Sequence, residues 1–237
     1  MKTIAIILAG GKGTRFGGNV PKQFLPMSDG LTVLQHSLEV FQGIDEIDTI
    51  CVVAHRDFIS MAMSQSLPYP KVNDIIEGGN ERYESTLNAL KVSVSPDDVL
   101  LIHDAARPYL SADVVRCCLE AMKDNDAVGV ALHATDTVWQ ADKSGHISSV
   151  PDRSALYLAQ TPQCFRSAVI KEAFGRLLAN LELSENEGNS PASDKSPANI
   201  PVVTDDCSVV LKYMPEVPVK IIEGDPANKK ITFCDDL

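Results

Sequence analysis

Short apolar runs alternate with segments of helical periodicity along most of the chain, and this alternation constrains the fold more than any other feature. Runs rich in β-branched residues predict strands at residues 3–8, 49–53, 72–76, 99–103, 127–132 and 219–223. Apolar residues spaced three and four apart predict helices at residues 32–41, 57–66, 82–94, 112–123 and 204–213. This βαβα order is typical of an α/β, Rossmann-like fold with a mostly parallel sheet and helices on both faces.

A glycine-rich, basic loop directly follows the first predicted strand. Residues 8–25 read LAGGKGTRFGGNVPKQFL, so five glycines stand close to Lys12, Arg15 and Lys22. Backbone N–H groups and cations at the end of a strand are suited to binding phosphate. The loop is not a dinucleotide fingerprint, because Phe16 stands at the third glycine position, and it has no Gly-Lys-Ser/Thr of a Walker loop. The alternative is a flexible surface loop that happens to hold a few lysines.

The composition limits the partners that we expect for this chain of 237 residues. Its net charge of −11 argues against nucleic acid, although a local cluster of cations can still bind a small anion. The six cysteines show no zinc-ligand spacing, and most of them are typical of core residues in a reducing compartment. The first apolar run is too short for a signal peptide, and no run reaches transmembrane length. We therefore expect a cytoplasmic protein without nucleic-acid or membrane partners.

Two segments interrupt the alternation within what we predict to be a single domain of residues 1–237. Residues 133–158 interleave polar and apolar residues about a turn at residues 144–145, which indicates a projecting β-hairpin arm. Trp139, the only tryptophan, would pack on a second subunit if the arm exchanges contacts, or on its own domain if the arm folds back. Residues 181–199 are rich in Ser, Asn, Pro and Glu, which predicts a mobile insertion without a catalytic role.

Polar groups follow the predicted strands, at the edge where ligands bind in doubly wound sheets. Asp104 follows the strand at 99–103 in the sequence HDAARP, where a carboxylate could hold or orient a magnesium ion. It could instead cap the following turn and pair with Arg107. In GGNERYES at residues 78–85, the glycines and Ser85 could contact the edge of a base through main-chain groups, but this pattern also occurs in plain turns.

Further candidate residues lie later in the chain. Arg153 follows the arm, residues 161–163 (Thr-Pro-Gln) are typical of a rigid turn, and Lys230 is by default a solvated surface lysine. No Ser-His-Asp or Cys-His set suggests a covalent nucleophile. Cations, glycine N–H groups and one well-placed aspartate favour transfer at a phosphorus centre, where a protein mainly positions reactants and neutralises charge.

Taken in order, these motifs resemble the cytidylyltransferases that make CDP-methylerythritol in the non-mevalonate isoprenoid pathway. The resemblance runs from residue 3 to about residue 237, outside the 181–199 insertion, and it rests on LAGGKGTRFG, PKQF, GGNERYES, HDAARP, DTV, DR, QTPQ, TDD and NKKIT. The ribitol 5-phosphate cytidylyltransferases are similar at nearly every one of these sites. The resemblance implies a nucleotide-diphospho-sugar transferase type of fold, a magnesium ion as cofactor, and a homodimer formed through the hairpin arm.

The same resemblance implies roles for individual residues. The triphosphate of CTP would be wrapped by Ala9, Gly10, Gly11 and Gly13. The α-phosphate, as it becomes pentacoordinate, would be stabilised by Arg15 and Lys22. The cytosine and ribose would lie among Gly79, Asn80, Ser85, Asp104 and Ala105, with Asp104 also near the magnesium ion. The phosphate of the sugar alcohol would be held by Thr137, Arg153, Thr161 and Lys230, with Arg107 in support. Through a dimer, Thr137 and Arg153 would serve the neighbour's site.

We therefore expect the acceptor's own phosphate oxygen to attack the α-phosphorus of CTP, with pyrophosphate leaving and no protein base required. Asn80 stands where methylerythritol enzymes usually have Asp, but it keeps an acceptor for the cytosine amino group, so CTP remains the expected nucleotide. Residues 152–153 and 204–206 favour methylerythritol phosphate over ribitol phosphate as the acceptor. A sugar-1-phosphate nucleotidyltransferase fits poorly. A non-catalytic nucleotide-sensing domain is disfavoured because Arg15, Lys22 and Asp104 are all present.

Overall fold

The computed structural model describes residues 1–11, 20–187, 203–233 and 236, with side chains omitted at 184–187. The strands within these ranges are β1 (Thr3–Ala9), β2 (Thr49–Ala54), β3 (Val72–Glu77), β4 (Val99–Asp104), β5 (Ala127–His133), β6 (Gln140–Ala141), β7 (Ile147–Ser149), β8 (Tyr157–Arg166) and β9 (Lys220–Glu223). The α-helices are α1 (Val33–Gln42), α2 (Ile59–Ser66), α3 (Arg82–Ala89), α4 (Ala112–Ala121), α5 (Ser167–Glu187) and α6 (Asp206–Tyr213).

Seven of these strands form one sheet in the order β3-β2-β1-β4-β8-β5-β9. The β1–β2, β1–β4, β2–β3 and β5–β9 pairs are parallel, whereas β8 runs antiparallel to both β4 and β5. The predicted α/β fold with a mostly parallel sheet is therefore confirmed. Its parallel strands carry their carboxyl ends to one edge, where the ends of β1 and β4 lie side by side.

The two faces of the sheet bury separate apolar clusters. Ala5 and Ile7 of β1 pack on one face, in the same cluster as residues of α1 and α4, while Ile4 and Ile6 pack on the other, with residues of α5 and α6. Successive side chains of a strand point to opposite faces, so a strand buried on both sides needs an unbroken apolar run. This explains why β1 carries no polar residue between Ile4 and Ala9.

The predicted hairpin arm is present and extends from the β5–β8 pair. Strands β6 and β7 form a separate two-stranded sheet, and Gly145 takes a positive φ of 84° in the turn between them. The Asp142 carboxylate accepts hydrogen bonds from the backbone N–H groups of Ser144 (2.9 Å) and His146 (3.0 Å), which fixes this turn. Trp139 is 65% exposed, so within the described residues of its own chain it is not packed into a core.

The prediction of a rigid turn at residues 161–163 is wrong. These residues lie inside β8, which pairs with β4 on one side and β5 on the other. Proline normally disfavours a central strand because it cannot donate to the ladder. Here the Thr161–Pro162 bond is cis, and the register with β5 shifts between Gly129 and Ala131. The buried run that follows, Cys164 and Phe165, keeps the strand between its two neighbours.

The start of the predicted insertion at 181–199 also needs correction. Helix α5, which the sequence reasoning did not identify, continues through residue 187. Leu177 is buried, and Leu181, one helical turn further on, packs against the same cluster, so the apolar face of α5 extends into the predicted insertion. Residues 188–199 lie outside the described residues. Neither α5 nor any other helix in the described ranges is long and apolar enough to span a membrane.

Candidate active site

A cleft of about 440 Å³ lies beyond the carboxyl ends of β1 and β4. It collects most of the predicted nucleotide and charge-stabilising residues that the structure describes, namely Ala9, Gly10, Gly11, Lys22, Gly79, Asn80, Ser85, Asp104 and Lys230. Gly13 and Arg15 belong to the same predicted loop but lie outside the described residues. Residues more than 200 positions apart in the chain therefore meet beyond the carboxyl ends of the parallel strands.

A second, smaller cleft of about 190 Å³ adjoins the first. It is lined by three of the residues predicted to hold the acceptor, Arg107, Thr161 and Lys230. Three charged residues line both clefts: Arg82, Asp104 and Lys230. The two clefts therefore meet at a junction formed by one carboxylate and two cations.

The described start of the glycine loop is held by Gln23, which the sequence reasoning did not single out. Its side-chain Nε2 donates to the carbonyl oxygens of Ala9 (2.6 Å) and Gly11 (2.8 Å). A buried amide that satisfies two backbone carbonyls fixes the path of the loop as it leaves β1. Gln23 belongs to the PKQF sequence, so this contact explains why that sequence accompanies the glycine loop.

Lys22 joins the glycine loop to the last part of the chain. It begins a short 3₁₀ turn at Lys22–Phe24, lines the larger cleft, and donates a hydrogen bond from Nζ to the carbonyl oxygen of Ile231. The ammonium group therefore lies at the cleft wall, next to the segment that carries Lys230. This position is compatible with the predicted role at the α-phosphate.

The loop at residues 78–81 uses its main-chain donors internally. The N–H groups of Asn80 (2.6 Å) and Glu81 (3.1 Å) donate to Oε2 of Glu84, and the N–H of Gly79 donates to Oγ of Ser85 (3.1 Å). A Cβ atom on Gly79 would lie 2.1 Å from Cβ of Glu84, so glycine is required there by Glu84. These main-chain N–H groups are therefore already bonded within the segment, although Gly79, Asn80 and Glu81 all line the larger cleft.

Asp104 is the carboxylate at the junction of the clefts. Its Oδ1 lies 3.3 Å from Nε of Arg82, and its Oδ2 lies 2.6 Å from Nζ of Lys230. Burial alone would raise the pKa of Asp104, but Arg82 and then Lys230 outweigh burial and hold this pKa well below its usual range. Asp104 is thus a carboxylate, and its negative charge is balanced by two cations.

The alternative in which Asp104 pairs with Arg107 is not found. The guanidinium of Arg107 instead donates to the carbonyl oxygens of Asn228 (2.8 Å) and Ala159 (3.2 Å). Only the backbone N–H of Arg107 contacts Asp104, through its carbonyl oxygen at 3.0 Å. Arg107 therefore ties the turn after β4 to β8 and to the segment before Lys230, in keeping with a supporting role.

Thr161 lies beneath Asp104 and connects it to His103. The hydroxyl of Thr161 accepts from the backbone N–H of Asp104 (3.1 Å) and lies 2.9 Å from Nδ1 of His103. The other ring nitrogen of His103 is 3.2 Å from the carbonyl oxygen of Arg107, which can only accept. These partners assign the ring proton to Nε2, so the Thr161 hydroxyl donates its proton to Nδ1. Burial lowers the pKa of His103 to about 4, which keeps the ring neutral.

Three predicted residues lie away from both clefts. Ala105 is fully buried, and its neighbour Ala106 lines the larger cleft in its place. Thr137 and Arg153 are exposed on the arm, and Arg153 donates from Nη1 to the carbonyl oxygen of Thr135 (2.7 Å). One chain therefore does not bring its own Thr137 and Arg153 to its own clefts. Their predicted use in a neighbouring subunit remains a prediction.

The sequence reasoning missed the ion pair between Arg82 and Asp206. Nη2 of Arg82 lies 2.8 Å from Oδ2 of Asp206, whose Oδ1 accepts from the hydroxyl of Thr86 at 2.9 Å. Gln163 Oε1 accepts from the N–H groups of Asp206 and Cys207, both at 2.9 Å. The GGNERYES, QTPQ and TDD sequences thus form one contact network. The pair joins positions 124 residues apart, and no local pattern encodes such a contact.

The donor set limits how a metal ion could bind. Within the described ranges, no group of three or more His, Cys, Asp or Glu side chains could hold a metal ion. Mg²⁺ commonly takes one or two carboxylates and completes its shell with substrate phosphates and water. Asp104 fits that mode as a single ionised carboxylate at the junction of the two clefts.

Comparisons with known proteins agree in one family. Residues 3–237 match the family described as 2-C-methyl-D-erythritol 4-phosphate cytidylyltransferase. The enzyme of that name from Thermobifida fusca is 38% identical over 244 residues, which cover 100% of this chain and 90% of that protein. A Haemophilus influenzae protein, the bifunctional ribulose 5-phosphate reductase/CDP-ribitol pyrophosphorylase Bcs1, is 37% identical over 246 residues, covering 100% of this chain but 47% of that protein.

Solved structures lead to the same group. The crystal structure of the Francisella tularensis 2-C-methyl-D-erythritol 4-phosphate cytidylyltransferase is 29% identical in sequence and superimposes with a TM-score of 0.77. The match covers 100% of this chain and 96% of that one. The crystal structure of the 4-diphosphocytidyl-2C-methyl-D-erythritol synthase from Anaerococcus prevotii superimposes with a TM-score of 0.77 at 26% identity. This match covers 99% of this chain and 92% of that one.

Proposed function

Because the chain belongs to the 2-C-methyl-D-erythritol 4-phosphate cytidylyltransferase family, we propose that its two adjoining clefts are where CMP passes from CTP to 2-C-methyl-D-erythritol 4-phosphate. The protein is a nucleotidyltransferase. An oxygen of the acceptor phosphate bonds to the α-phosphorus, the bond from that phosphorus to the β-phosphate breaks, and pyrophosphate leaves. The observation that carries the proposal is the shared junction, since ligands in the two clefts would meet at Asp104 and Lys230.

The larger cleft is suited to the nucleotide. Its volume of about 440 Å³ falls in the range of small-molecule sites, and it is lined by Gly10 and Gly11 after β1 and by Asn80. Lys22 and Lys230 supply positive charge at the walls, although the whole chain carries a net charge of −11. Local cations of this kind attract an anion despite an acidic surface elsewhere.

The chemistry requires alignment and charge neutralisation from this chain. A phosphate monoester is already ionised near neutral pH, so no side chain has to remove a proton from the nucleophile. Lys22 would neutralise charge that develops on the transferring phosphoryl group, as preorganised cations do in phosphoryl transfer. Lys230, at the junction, would hold the acceptor phosphate in line with the α-phosphorus.

A magnesium ion is part of the proposal. Asp104 would be its protein ligand, with phosphate oxygens of CTP completing most of its shell. When bound, the ion would neutralise phosphate charge and orient the leaving group. Asp104 can take this role because Arg82 and Lys230 keep it ionised, although Lys230 must leave Oδ2 for that oxygen to become available.

We also propose that two copies assemble through the hairpin arm. The arm exposes a set of apolar side chains, Val138, Trp139, Ile147 and Val150. Exposed apolar patches of this kind mark interaction surfaces, and a second copy of the arm would cover them. Assembly would also give Thr137 and Arg153 a site to serve, since neither lines the clefts of its own chain.

The place of action that we propose is the cytoplasm. Cysteines among apolar neighbours are typical of proteins in a reducing compartment. Cys51, Cys118, Cys164 and Cys207 are buried free thiols.

Pyrophosphate release from CTP, measured with each acceptor offered separately, tests the proposal. Rapid release with 2-C-methyl-D-erythritol 4-phosphate and slow release with D-ribitol 5-phosphate is the expected result. The similarity to the Haemophilus influenzae protein makes ribitol phosphate the second candidate, and the reverse preference would establish it. Binding of CTP without release for either acceptor would indicate a nucleotide sensor. Repeating the assay after removal of divalent cations, and again with Mg²⁺ added back, tests whether the reaction requires the metal ion.

A further inference from the structure

Arg82 occupies an unusual position at the junction of the clefts. It begins α3, lines both clefts, and places its guanidinium between Asp104 (Nε to Oδ1, 3.3 Å) and Asp206 (Nη2 to Oδ2, 2.8 Å). The Asp206 side chain is fully buried, and Thr86 satisfies its second oxygen. The third nitrogen of the guanidinium, Nη1, is buried without a hydrogen-bond partner among the described residues.

The two cations on Asp104 differ in how freely they can move. The Arg82 side chain is held on its far side by Asp206, which α6 and the Gln163 contacts keep in place. Lys230 is 42% exposed, and Asp104 is its one ion-pair partner among the described residues. Arg82 can therefore hold Oδ1 of Asp104 while Lys230 exchanges Oδ2 for another anion. Burying Nη1 of Arg82 without a hydrogen-bond partner costs free energy. A purely structural ion pair would gain nothing in return for that cost.

We propose that Arg82, anchored by Asp206, is a positioning residue that keeps Asp104 in place while Lys230 moves to the incoming acceptor phosphate. This rests on the proposed function and deepens it. Asp206 acts only through Arg82, because its side chain is sealed from both clefts. The placement matters because small errors in the alignment of reacting groups cost large factors in rate.

Paired variants separate this role from a purely structural one. Arg82→Gln leaves Asp206 as a buried, unpaired carboxylate, so it should both destabilise the fold and lower kcat. Adding Asp206→Asn to Arg82→Gln removes both charges and should restore most of the lost thermal stability. If Arg82 positions Asp104, kcat of the double variant stays about tenfold or more below wild type, while KM for CTP changes by less than about threefold. Arg82→Lys, which can reach one carboxylate only, should have a kcat between those of wild type and Arg82→Gln.

A surface arginine provides the matched control. Arg176 also contacts two carboxylates, Glu172 (2.8 Å) and Glu216 (3.2 Å), but it lines neither cleft. Arg176→Gln should leave kcat within about twofold of wild type.

The outcomes are distinct. A double variant that regains wild-type kcat together with stability overturns the inference, and so does an Arg82→Gln variant with wild-type kcat. A wild-type chain that releases no pyrophosphate with any acceptor contradicts the proposed function and the inference with it. An active wild type with an equally active double variant contradicts the inference alone.

Discussion

Lys230 and Asp104, 126 positions apart in the chain, form an ion pair of 2.6 Å where the two clefts meet. The pair is asymmetric, because the lysine side chain is 42% exposed and the aspartate side chain 13%. Asp104 keeps Arg82, which it shares with Asp206, as a partner when the lysine leaves. Lys230 is therefore placed to exchange the carboxylate for a phosphate.

Lys230→Met should weaken acceptor binding more than nucleotide binding. Methionine keeps much of the aliphatic stem but removes the ammonium group, so KM for the acceptor should rise and kcat should fall, each by about tenfold or more. Steady-state pyrophosphate release at varied acceptor and varied CTP measures both. The neighbouring Lys229, which lines neither cleft, provides the control, and equal losses in Lys229→Met and Lys230→Met would contradict the assignment.

Lys22→Ala should lower turnover by about a hundredfold or more. The ammonium group lies at the wall of the larger cleft, and removal of one preorganised charge stabiliser typically costs this much. Single-turnover measurements at saturating CTP and acceptor would report the chemical step directly. Lys123→Ala, which removes an exposed cation that follows α4 and pairs with Glu120, should retain wild-type turnover. Near-normal turnover in Lys22→Ala would refute the proposed site.

Thr161→Val should reduce activity although valine matches threonine in shape. The change removes the hydroxyl that accepts from the Asp104 N–H and donates to His103, so two buried groups lose their partner. We expect kcat to fall about tenfold or more, because the backbone that carries Asp104 is no longer fixed. Thr161→Ser keeps the hydroxyl and should recover most of the activity. Equal activity in the Val and Ser variants would show that the hydroxyl has no such role.

The sequence was sufficient to predict the alternating strands and helices up to residue 132, because local apolar periodicity determines them. It also singled out the glycine loop and Asp104, since ligands of parallel sheets lie beyond the carboxyl ends of strands. Lys230 was assigned a role only through the resemblance to a family. The sequence did not predict β8, because Pro162 indicates a turn when only its neighbours in the chain are considered. The segment is a strand because it pairs with β4 on one side and β5 on the other.

The contacts that shape the site were beyond sequence reasoning for a related reason. Arg82 and Asp206, Lys22 and Ile231, and Thr161 and His103 each meet only after the sheet has formed. Ala105 and Ala106 are chemically identical neighbours, and only the direction of the chain after β4 decides which one lines the cleft. The resemblance to a family could supply the motifs, but not which of their atoms are already committed within the chain.

His103 should make the folded state sensitive to mild acid. Its pKa in the folded protein is lowered to about 4 from an ordinary 6.5, because complete burial of the ring disfavours the charged form and outweighs the opposing effect of the Asp104 carboxylate. Between these two values the unfolded state binds the extra proton, so stability is lost as pH falls from about 6.5 to about 4. The loss from this group amounts to about 3 kcal/mol. Urea unfolding at pH 7 and pH 4.5 measures it.

Replacing the histidine isolates this contribution. His103→Gln removes the titrating ring, so the variant should lose less stability than wild type between pH 7 and pH 4.5, even though it is less stable at pH 7. His146, on the exposed arm, gives the control, and His146→Gln should retain the wild-type pH dependence. An unchanged pH dependence in His103→Gln would show that another group is responsible.

Mixing two inactive variants should restore activity if the arm serves a neighbouring subunit. Arg153 lines neither cleft of its own chain, whereas Lys22 lines the larger one. In a dimer that carries Lys22→Ala in one subunit and Arg153→Ala in the other, one site keeps both groups and the other loses both. When equal amounts of the two variants exchange subunits at random, half of the dimers are mixed, and each mixed dimer has one intact site of two. The mixture should therefore recover about a quarter of the wild-type activity. Sedimentation measures whether the chain forms a dimer. A mixture no more active than its parts would place Arg153 with its own chain or outside the reaction.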